Sequence, residues 1–210
     1  IFASELKAFL THPKFKKDID RNILSTYMQY GYVPAPYSIY KGIKKLPAGC
    51  HLTINSKMDK KLTKYWSLTK SIANQSIIID DDNKIKQLEE LLMSSIEQQM
   101  ISDVPLGVFL SGGIDSSMIA SMMQSISDKP IDTFSIGFHE KEYDESSYAY
   151  SISKFLNTHH HELIIDSKMS LDIIPDLPNI YDEPFADASG LPTYILAKMS
   201  RNNVTVSLSG

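Results

Sequence analysis

The sequence predicts an α/β fold with a parallel sheet over its second part, preceded by a shorter α+β stretch, and three observations carry that prediction. From Val104 onward, short apolar runs alternate with segments whose apolar residues recur at helical spacing, the order expected when helices cover both faces of a parallel sheet. Residues 104–110 read VPLGVFL, an apolar run with the look of a buried parallel strand. That run stops at Gly112-Gly113, and from Ser116 on, Met118, Ile119, Met122, Met123 and Ile126 fall on one face of a helix.

The remaining elements follow from local signals. Residues 1–3 read as a strand leading to a short helical segment, and Asp20 is a candidate N-cap for a helix to about Gly31. Pro34 and Pro36 break that pattern. Leu46-Pro47-Ala48-Gly49 reads as a turn feeding a strand over 50–54, with 61–66 as its partner across the connection 55–60. Residues 69–82, polar and ending in three aspartates, mark a linker between domains 1–68 and 83–210. A helix over 83–101 would carry Ile85, Leu88, Leu91, Leu92, Ile96 and Met100 as one stripe. Strands are expected at 131–138, 161–165 and 204–208, with helices at 146–156 and in segments up to 200. Open sheets of this kind bind ligands beyond the carboxyl ends of their strands, where Ser111 to Asp115, Gly137 and Gly210 all fall.

Composition bounds the partners. With 42% hydrophobic residues, 210 residues are ample for a core, and a net charge of −4 leaves no electrostatic footprint for nucleic acid. No stretch has the length of a membrane span, and the N-terminus lacks the order of a signal peptide. A single cysteine forms no internal disulfide, which fits a cytoplasmic location.

The strand, glycine turn and helix start at 104–117 form a phosphate cradle: glycines admit an anion close to the backbone, and the helix N-terminus directs N–H groups and positive charge at it. A Walker loop is excluded, because there is no lysine between Val104 and Gln124. Asp115 sits inside the cradle instead, an arrangement that makes sense if Mg²⁺ lies between the carboxylate and a polyphosphate. The string SGGIDS resembles the pyrophosphate loop of the ATP pyrophosphatase families, which split ATP between its α and β phosphates.

The flanks widen the resemblance. FASELKAF at 2–9, YMQYGYVPAP at 27–36, GIKKLPAGC at 42–50, KYW at 64–66, TFSIGF at 133–138, YDEPFADASGLPTY at 181–194 and VSLSG at 206–210 accompany SGGIDSS in one order. Together they resemble the glutamine-hydrolysing asparagine synthetase family, class B. The resemblance implies the C-terminal part of an Ntn-type α+β glutaminase domain (glutamine amidotransferase type 2) over 1–68. It implies the first part of an ATP pyrophosphatase domain, of the adenine nucleotide alpha hydrolase type, over 83–210. It further implies an AMP-forming ligase with ATP and Mg²⁺ as cofactors and aspartate, or another carboxylate, and ammonia from glutamine as substrates. A homodimer is left open. By the same resemblance Ser111, Gly112, Gly113, Asp115 and Ser116 hold the phosphates, Asp115 through the metal. Phe109, Ile136 and Gly137 present backbone to the nucleotide, and Ser209 and Gly210 begin a second nucleotide segment. The family's N-terminal cysteine nucleophile is absent from this chain, and so is the acidic segment after the final SG, so an internal segment of a longer enzyme is expected.

Three features stay open on residues alone. Asp182, Glu183 and Asp187 sit in a Pro- and Gly-punctuated stretch where carboxylates either serve metal or acceptor binding or simply face solvent. One branch of the family carries threonines and an arginine there, so the acceptor is either aspartate or a sugar acid, and a nucleotide-binding remnant without turnover is the remaining alternative. His159-His160-His161 on a strand would point to alternate faces, so a helix-to-strand turn with exposed imidazoles is expected rather than a metal site. Cys50, internal and after a turn, is expected to be a packed or surface thiol rather than a nucleophile.

Overall fold

The structure, a computed structural model, describes residues 1–73, 81–140, 142 and 144–210. In chain order the elements are a 3-10 helix Leu6–Thr11, helix α1 (Arg21–Tyr30), strands β1 (Cys50–Ile54) and β2 (Lys60–Lys64), α2 (Leu68–Ala73), α3 (Asp81–Met100), β3 (Leu106–Phe109), α4 (Ile114–Ile126), β4 (Asp132–Phe138), α5 (Ser146–Leu156), β5 (His159–Ile165), α6 (Ser167–Ile173), a 3-10 turn Ile174–Asp176, α7 (Leu177–Ile180), α8 (Gly190–Ser200) and β6 (Val206–Leu208). They divide into two units. One comprises Ile1–Ile78 with Pro175–Asp187, the other Ile79–Ile174 with Ala188–Gly210.

In the first unit, α1 starts where the sequence places its cap. The Asp20 carboxylate accepts the Asn22 N–H at 3.0 Å, satisfying one of the donors that a helix start leaves without a partner. Gly31, in the left-handed conformation, ends the helix. Val33, Ile39 and Tyr40 form a small core, packed by Leu6, Phe15, Ile23, Tyr27 and Ile43. The antiparallel hairpin β1–β2 runs in register from Cys50 opposite Lys64 to Ile54 opposite Lys60. Residues 1–3 are not a strand: a strand exists through its ladder, and neither sheet of the described residues includes them.

The second unit is a four-stranded sheet in the order β5–β4–β3–β6, and every pairing in it is parallel. Val108, Leu110 and Leu208 from the strand region join Ile96 of α3, Ala120 and Met123 of α4, Ile131 just before β4 and Ala149 of α5 in one core. The buried face of α4 is Ser116, Ala120 and Met123, spaced by four and three residues, flanked by Ile119, Met122 and Ile126. The stripe expected on α3 is buried only near its end: Ile96 is enclosed, whereas Ile85, Leu88 and Leu91 are exposed. Of the expected linker 69–82, residues 69–73 are helical and 74–80 lie outside the described residues.

Strand β5 begins at His159, two residues before the expected start. The reason is the ladder, which pairs His159 with Asp132, His160 with Thr133 and His161 with Phe134. The imidazoles are therefore strand side chains rather than members of an exposed turn. Only His159 is exposed; His160 is half-buried between the Thr133 and Ser135 hydroxyls, at 2.9 and 3.1 Å from its two ring nitrogens. Burial pushes the His160 pKa down, with smaller contributions from His161 and Lys154. His161 turns to the other face, stacks on Phe134 at 4.9 Å and meets the Asp132 carboxylate at 2.8 Å.

Candidate functional site

The connection between β3 and α4 is a folded turn with its own hydrogen bonds. Ser116, in the first turn of α4, is buried, and its hydroxyl lies 3.0 Å from the Ser111 hydroxyl and accepts the Ser111 N–H at 3.2 Å. Ser111 Oγ in turn accepts the Gly113 N–H at 3.3 Å. The Ser117 hydroxyl donates to the Gly113 carbonyl at 2.6 Å. These bonds order the turn internally. The helix has no side-chain cap at Gly113, so its first N–H groups depend on something other than a cap for a partner.

Two glycines allow the close approaches this turn makes. Gly112 has φ of 86°, and a Cβ there would lie 2.6 Å from the Tyr148 Cβ. Gly210, just after β6, lies against the start of α4; a Cβ on it would stand 2.5 Å from the Ser116 nitrogen. Strand β6 neighbours β3 in the sheet, so parallel pairing delivers Ser209-Gly210 to the same end as Ser111.

A cleft of about 260 Å³ opens at this end of the sheet, just below the usual range for small-molecule sites. Phe109, Leu110, Ile136, Phe138 and Leu196 supply apolar walls, and Ser111, Ser116, Ser135, Ser209, Gly210 and Glu145 supply polar atoms. The structure thus brings together Phe109, Ser111, Ser116, Ile136, Ser209 and Gly210 of the sequence-derived set. Gly112, Gly113 and Asp115 belong to the turn beside the cleft rather than to its lining. Gly137 is sealed under α5, where a Cβ would stand 2.6 Å from Ile164 Cδ1 and 2.8 Å from an Asp144 oxygen.

Sequence reasoning missed Leu110, Ser135, Phe138, Glu145 and Leu196. Ser135 and Phe138 share a strand with Ile136 and were findable by extending the argument along it. Leu196 had no local signal, because α8 reaches the cleft through tertiary packing alone. Asp144 sits behind Glu145: its carboxylate accepts the Phe138 N–H at 3.3 Å and the Ser146 N–H at 3.2 Å, tying the end of β4 to the start of α5. Hydrogen bonds from the Ser146 side chain and backbone, and from Phe138, hold its carboxyl below the usual range.

Asp115 stands exposed in the first turn of α4, and among the described residues no group of three or more His, Cys, Asp and Glu is placed to share a metal. One carboxylate with nearby serine hydroxyls is an all-oxygen donor set of the kind Mg²⁺ takes when substrate phosphates supply further ligands. Cys50 is half-buried at the start of β1. Asp187 is exposed. Asp182 and Glu183 are neither exposed nor idle: within the first unit they meet Lys7, Lys45 and two backbone amides.

An asparagine synthase family model matches residues 87–210, more than half of the chain, and a glutamine amidotransferase domain model matches residues 1–66. The chain belongs to the asparagine synthase family. A Methanocaldococcus jannaschii relative, provisionally named asparagine synthetase (glutamine-hydrolyzing) 2, is 38% identical over 100% of this chain and 41% of its own length. Asparagine synthetase (glutamine-hydrolyzing) 1 of Bacillus subtilis is 31% identical over 100% of this chain and 32% of its own. This member of the family thus spans less than half the length of those relatives. Among solved structures, the NH3-dependent NAD synthetase from Campylobacter jejuni overlays on 58% of this chain and 54% of that one, at 14% identity and a TM-score of 0.43. Among the described residues no helix is long and apolar enough to cross a membrane.

Proposed function

We propose that this chain is part of a glutamine-hydrolysing, AMP-forming asparagine synthetase and that the cleft at the end of β3, β4 and β6 takes ATP. The observation that carries the reading is the turn from Ser111 to Ser116, set at a helix N-terminus with Gly210 against it and an apolar-walled cleft beside it. Residues 1–68 would be the C-terminal part of the amidotransferase domain, 69–82 the linker and 83–210 the first part of the synthetase domain. An enzyme consuming ATP and aspartate fits a cytoplasmic location.

The roles follow from chemistry. Ser111, Gly112, Gly113 and Ser116 bind the β and γ phosphates through N–H and hydroxyl donors, and the helix N-terminus offsets their charge. Asp115 would hold Mg²⁺, which supplies positive charge against the pyrophosphate. Phe109 and Ile136 present backbone to the adenine from the cleft wall, with Gly137 packed under α5 behind them, and Ser209 and Gly210 close the other side. An aspartate β-carboxylate oxygen attacks the α phosphorus of ATP, the bond to the β phosphate breaks, and pyrophosphate leaves the acyl-adenylate. Ammonia released from glutamine then forms the amide bond and expels AMP. Placement and exclusion of water are the protein's share of this work.

In the whole protein, Asp115→Asn is expected to leave folding intact and to slow aspartate-dependent pyrophosphate release by about two to three powers of ten, as removal of a transition-state charge partner does. Rates equal to the unaltered protein at saturating Mg²⁺ and ATP would overturn the metal role. Pyrophosphate release that answers to a sugar acid and not to aspartate would change the acceptor, and no release with any carboxylate would leave a binding module.

A further inference from the structure

The cleft opens where β4 loses one of its two neighbours. Strand β3 pairs with β4 only from Asp132 to Phe134, while β5 continues beside it from Asp132 to Phe138. Ser135 is the first β4 residue that the ladder holds from one side alone, and it is also part of the cleft wall. His160, opposite Thr133 in the register, reaches diagonally across this limit. Its Nδ1 lies 2.9 Å from the Thr133 hydroxyl and its Nε2 3.1 Å from the Ser135 hydroxyl. Thr133 is fully buried and Ser135 is 2% exposed. Thr133 Oγ1 lies a further 2.9 Å from the Thr158 hydroxyl, which donates to the Ser153 carbonyl at 3.5 Å.

Proton counting fixes the direction of this chain of bonds. A neutral imidazole has one N–H and one bare nitrogen, and each hydroxyl has a single proton to give. Among the described residues the Ser135 hydroxyl has no acceptor other than the ring, so a bond from the ring to Ser135 would leave a buried O–H without a partner. Ser135 therefore donates to Nε2. The ring proton then sits on Nδ1 and goes to Thr133, Thr133 gives its own to Thr158, and Thr158 gives its own to the Ser153 carbonyl. Every proton has a place in this direction and in no other. The lowered pKa of His160, caused first by burial, agrees with it, because an imidazolium keeps no lone pair for Ser135.

We infer that His160 is a positioning residue for the nucleotide: its bare Nε2 holds the Ser135 hydroxyl, and with it the part of β4 that walls the cleft, while Thr133, Thr158 and Ser153 fix its tautomer. The inference rests on the reading of the cleft as an ATP site. Ser135 precedes Ile136, whose backbone is proposed to meet the adenine, so a Ser135 free to rotate would loosen that peptide where β3 no longer pairs with it. His160 is not among the residues of the cleft wall, and its effect on the nucleotide passes through Ser135. Losing it should weaken ATP binding and leave the chemical step alone.

The test uses the whole protein with Mg²⁺ and the α,β-methylene analogue of ATP, which is not cleaved. His160→Gln can place an amide oxygen near the position of Nε2 and keep an acceptor for Ser135, whereas His160→Asn reaches only as far as Nδ1 and keeps the bond to Thr133. The dissociation constant of the analogue, read by calorimetry, is expected to rise by about fivefold in His160→Asn and in Ser135→Ala, the factor one neutral hydrogen bond supports, and by less than about twofold in His160→Gln. The double variant His160→Asn/Ser135→Ala should bind no more weakly than either single one, because both break the same bond. Pyrophosphate release at saturating ATP should stay within about twofold of the unaltered rate. Nitrogen NMR of histidine-labelled protein, with His160 identified by the signals that His160→Gln lacks, should show the proton on Nδ1. A proton on Nε2 overturns the direction of the chain and the inference with it. A dissociation constant unmoved in His160→Asn, or moved equally by Asn and Gln, overturns the positioning role, since a merely structural histidine would lower the urea midpoint without that ordering. Failure of the unaltered protein to bind the analogue would instead sink the ATP reading, and the inference along with it. Should His160→Asn fail to fold, Ser135→Ala against His160→Gln decides.

Discussion

The two sheets of the described residues are very differently buried. In β1–β2 one residue of each strand is half-buried and the rest are exposed, whereas β4 has Thr133, Phe134, Ser135 and Gly137 buried. Each has a regular ladder of paired residues, so pairing as such is not what separates them. Helices pack against the parallel sheet, and Val108 and Phe134 at its centre are fully buried; the hairpin owes its form to its turn and cross-strand pairs. Precision at the candidate site follows from that difference, because Ser111, Ile136 and Gly210 are carried by strands that cannot shift without opening a core.

The comparison breaks most decisively at Phe134. Its ring is fully buried, stacks on His161 and fills the space beside Gly107, where a Cβ would come within 2.6 Å of it. Phe134→Ala in the 210-residue chain is expected to cost about 3–5 kcal/mol, the usual range for such a cavity. Solvent exchange of the Leu110 amide, which donates to the Phe134 carbonyl at 2.8 Å, reads this directly and should quicken by roughly two to three powers of ten. An unchanged rate would mean that the sheet's rigidity has another source.

A smaller effect sharpens the same contrast through pH. His160 has its pKa lowered by burial, so the folded state binds fewer protons than the unfolded one. Its contribution is therefore complete above the ordinary histidine pKa of about 6.5 and is lost as pH falls through the folded value. Unfolding of the 210-residue chain in urea should accordingly begin at lower denaturant as pH drops below about 6.5, and His160→Asn should flatten that slope. Asp144, whose pKa is also lowered, adds a loss of the same sign in the lower window where carboxylates titrate, so the slope there should survive the histidine change. A slope that persisted between neutral pH and the carboxylate range in His160→Asn would assign the dependence elsewhere.

The smallest effect belongs to the hairpin. Leu52 faces Leu62 across the strands, and the two are 45% and 55% exposed. Leu52→Ala in the 210-residue chain should change stability by less than about 1 kcal/mol, the scale of an exposed cross-strand pair. A cost approaching that of Phe134→Ala, read by denaturant unfolding, would erase the distinction between the sheets.

What the sequence by itself determined about this protein is whatever depends on neighbours a few residues away. The Asp20 cap, the limits of α5, the strand and glycine turn at SGGIDSS and the arrival of Ser111 and Gly210 at one sheet end were all legible, because capping, glycine geometry, apolar periodicity and strand direction are local rules with one dominant solution. Only the tertiary structure decided the rest. The histidine run became strand because β4 offered it a ladder, the first half of the α3 stripe stayed exposed, and Leu196 entered the cleft from a distant helix. Asp182 and Glu183 make the point most sharply: their amide partners lie 175 and 144 residues away in sequence, and a carboxylate in a loop reads the same whether it faces water or closes on a lysine. Burial and partner are properties of the packed chain, and no local pattern encodes them.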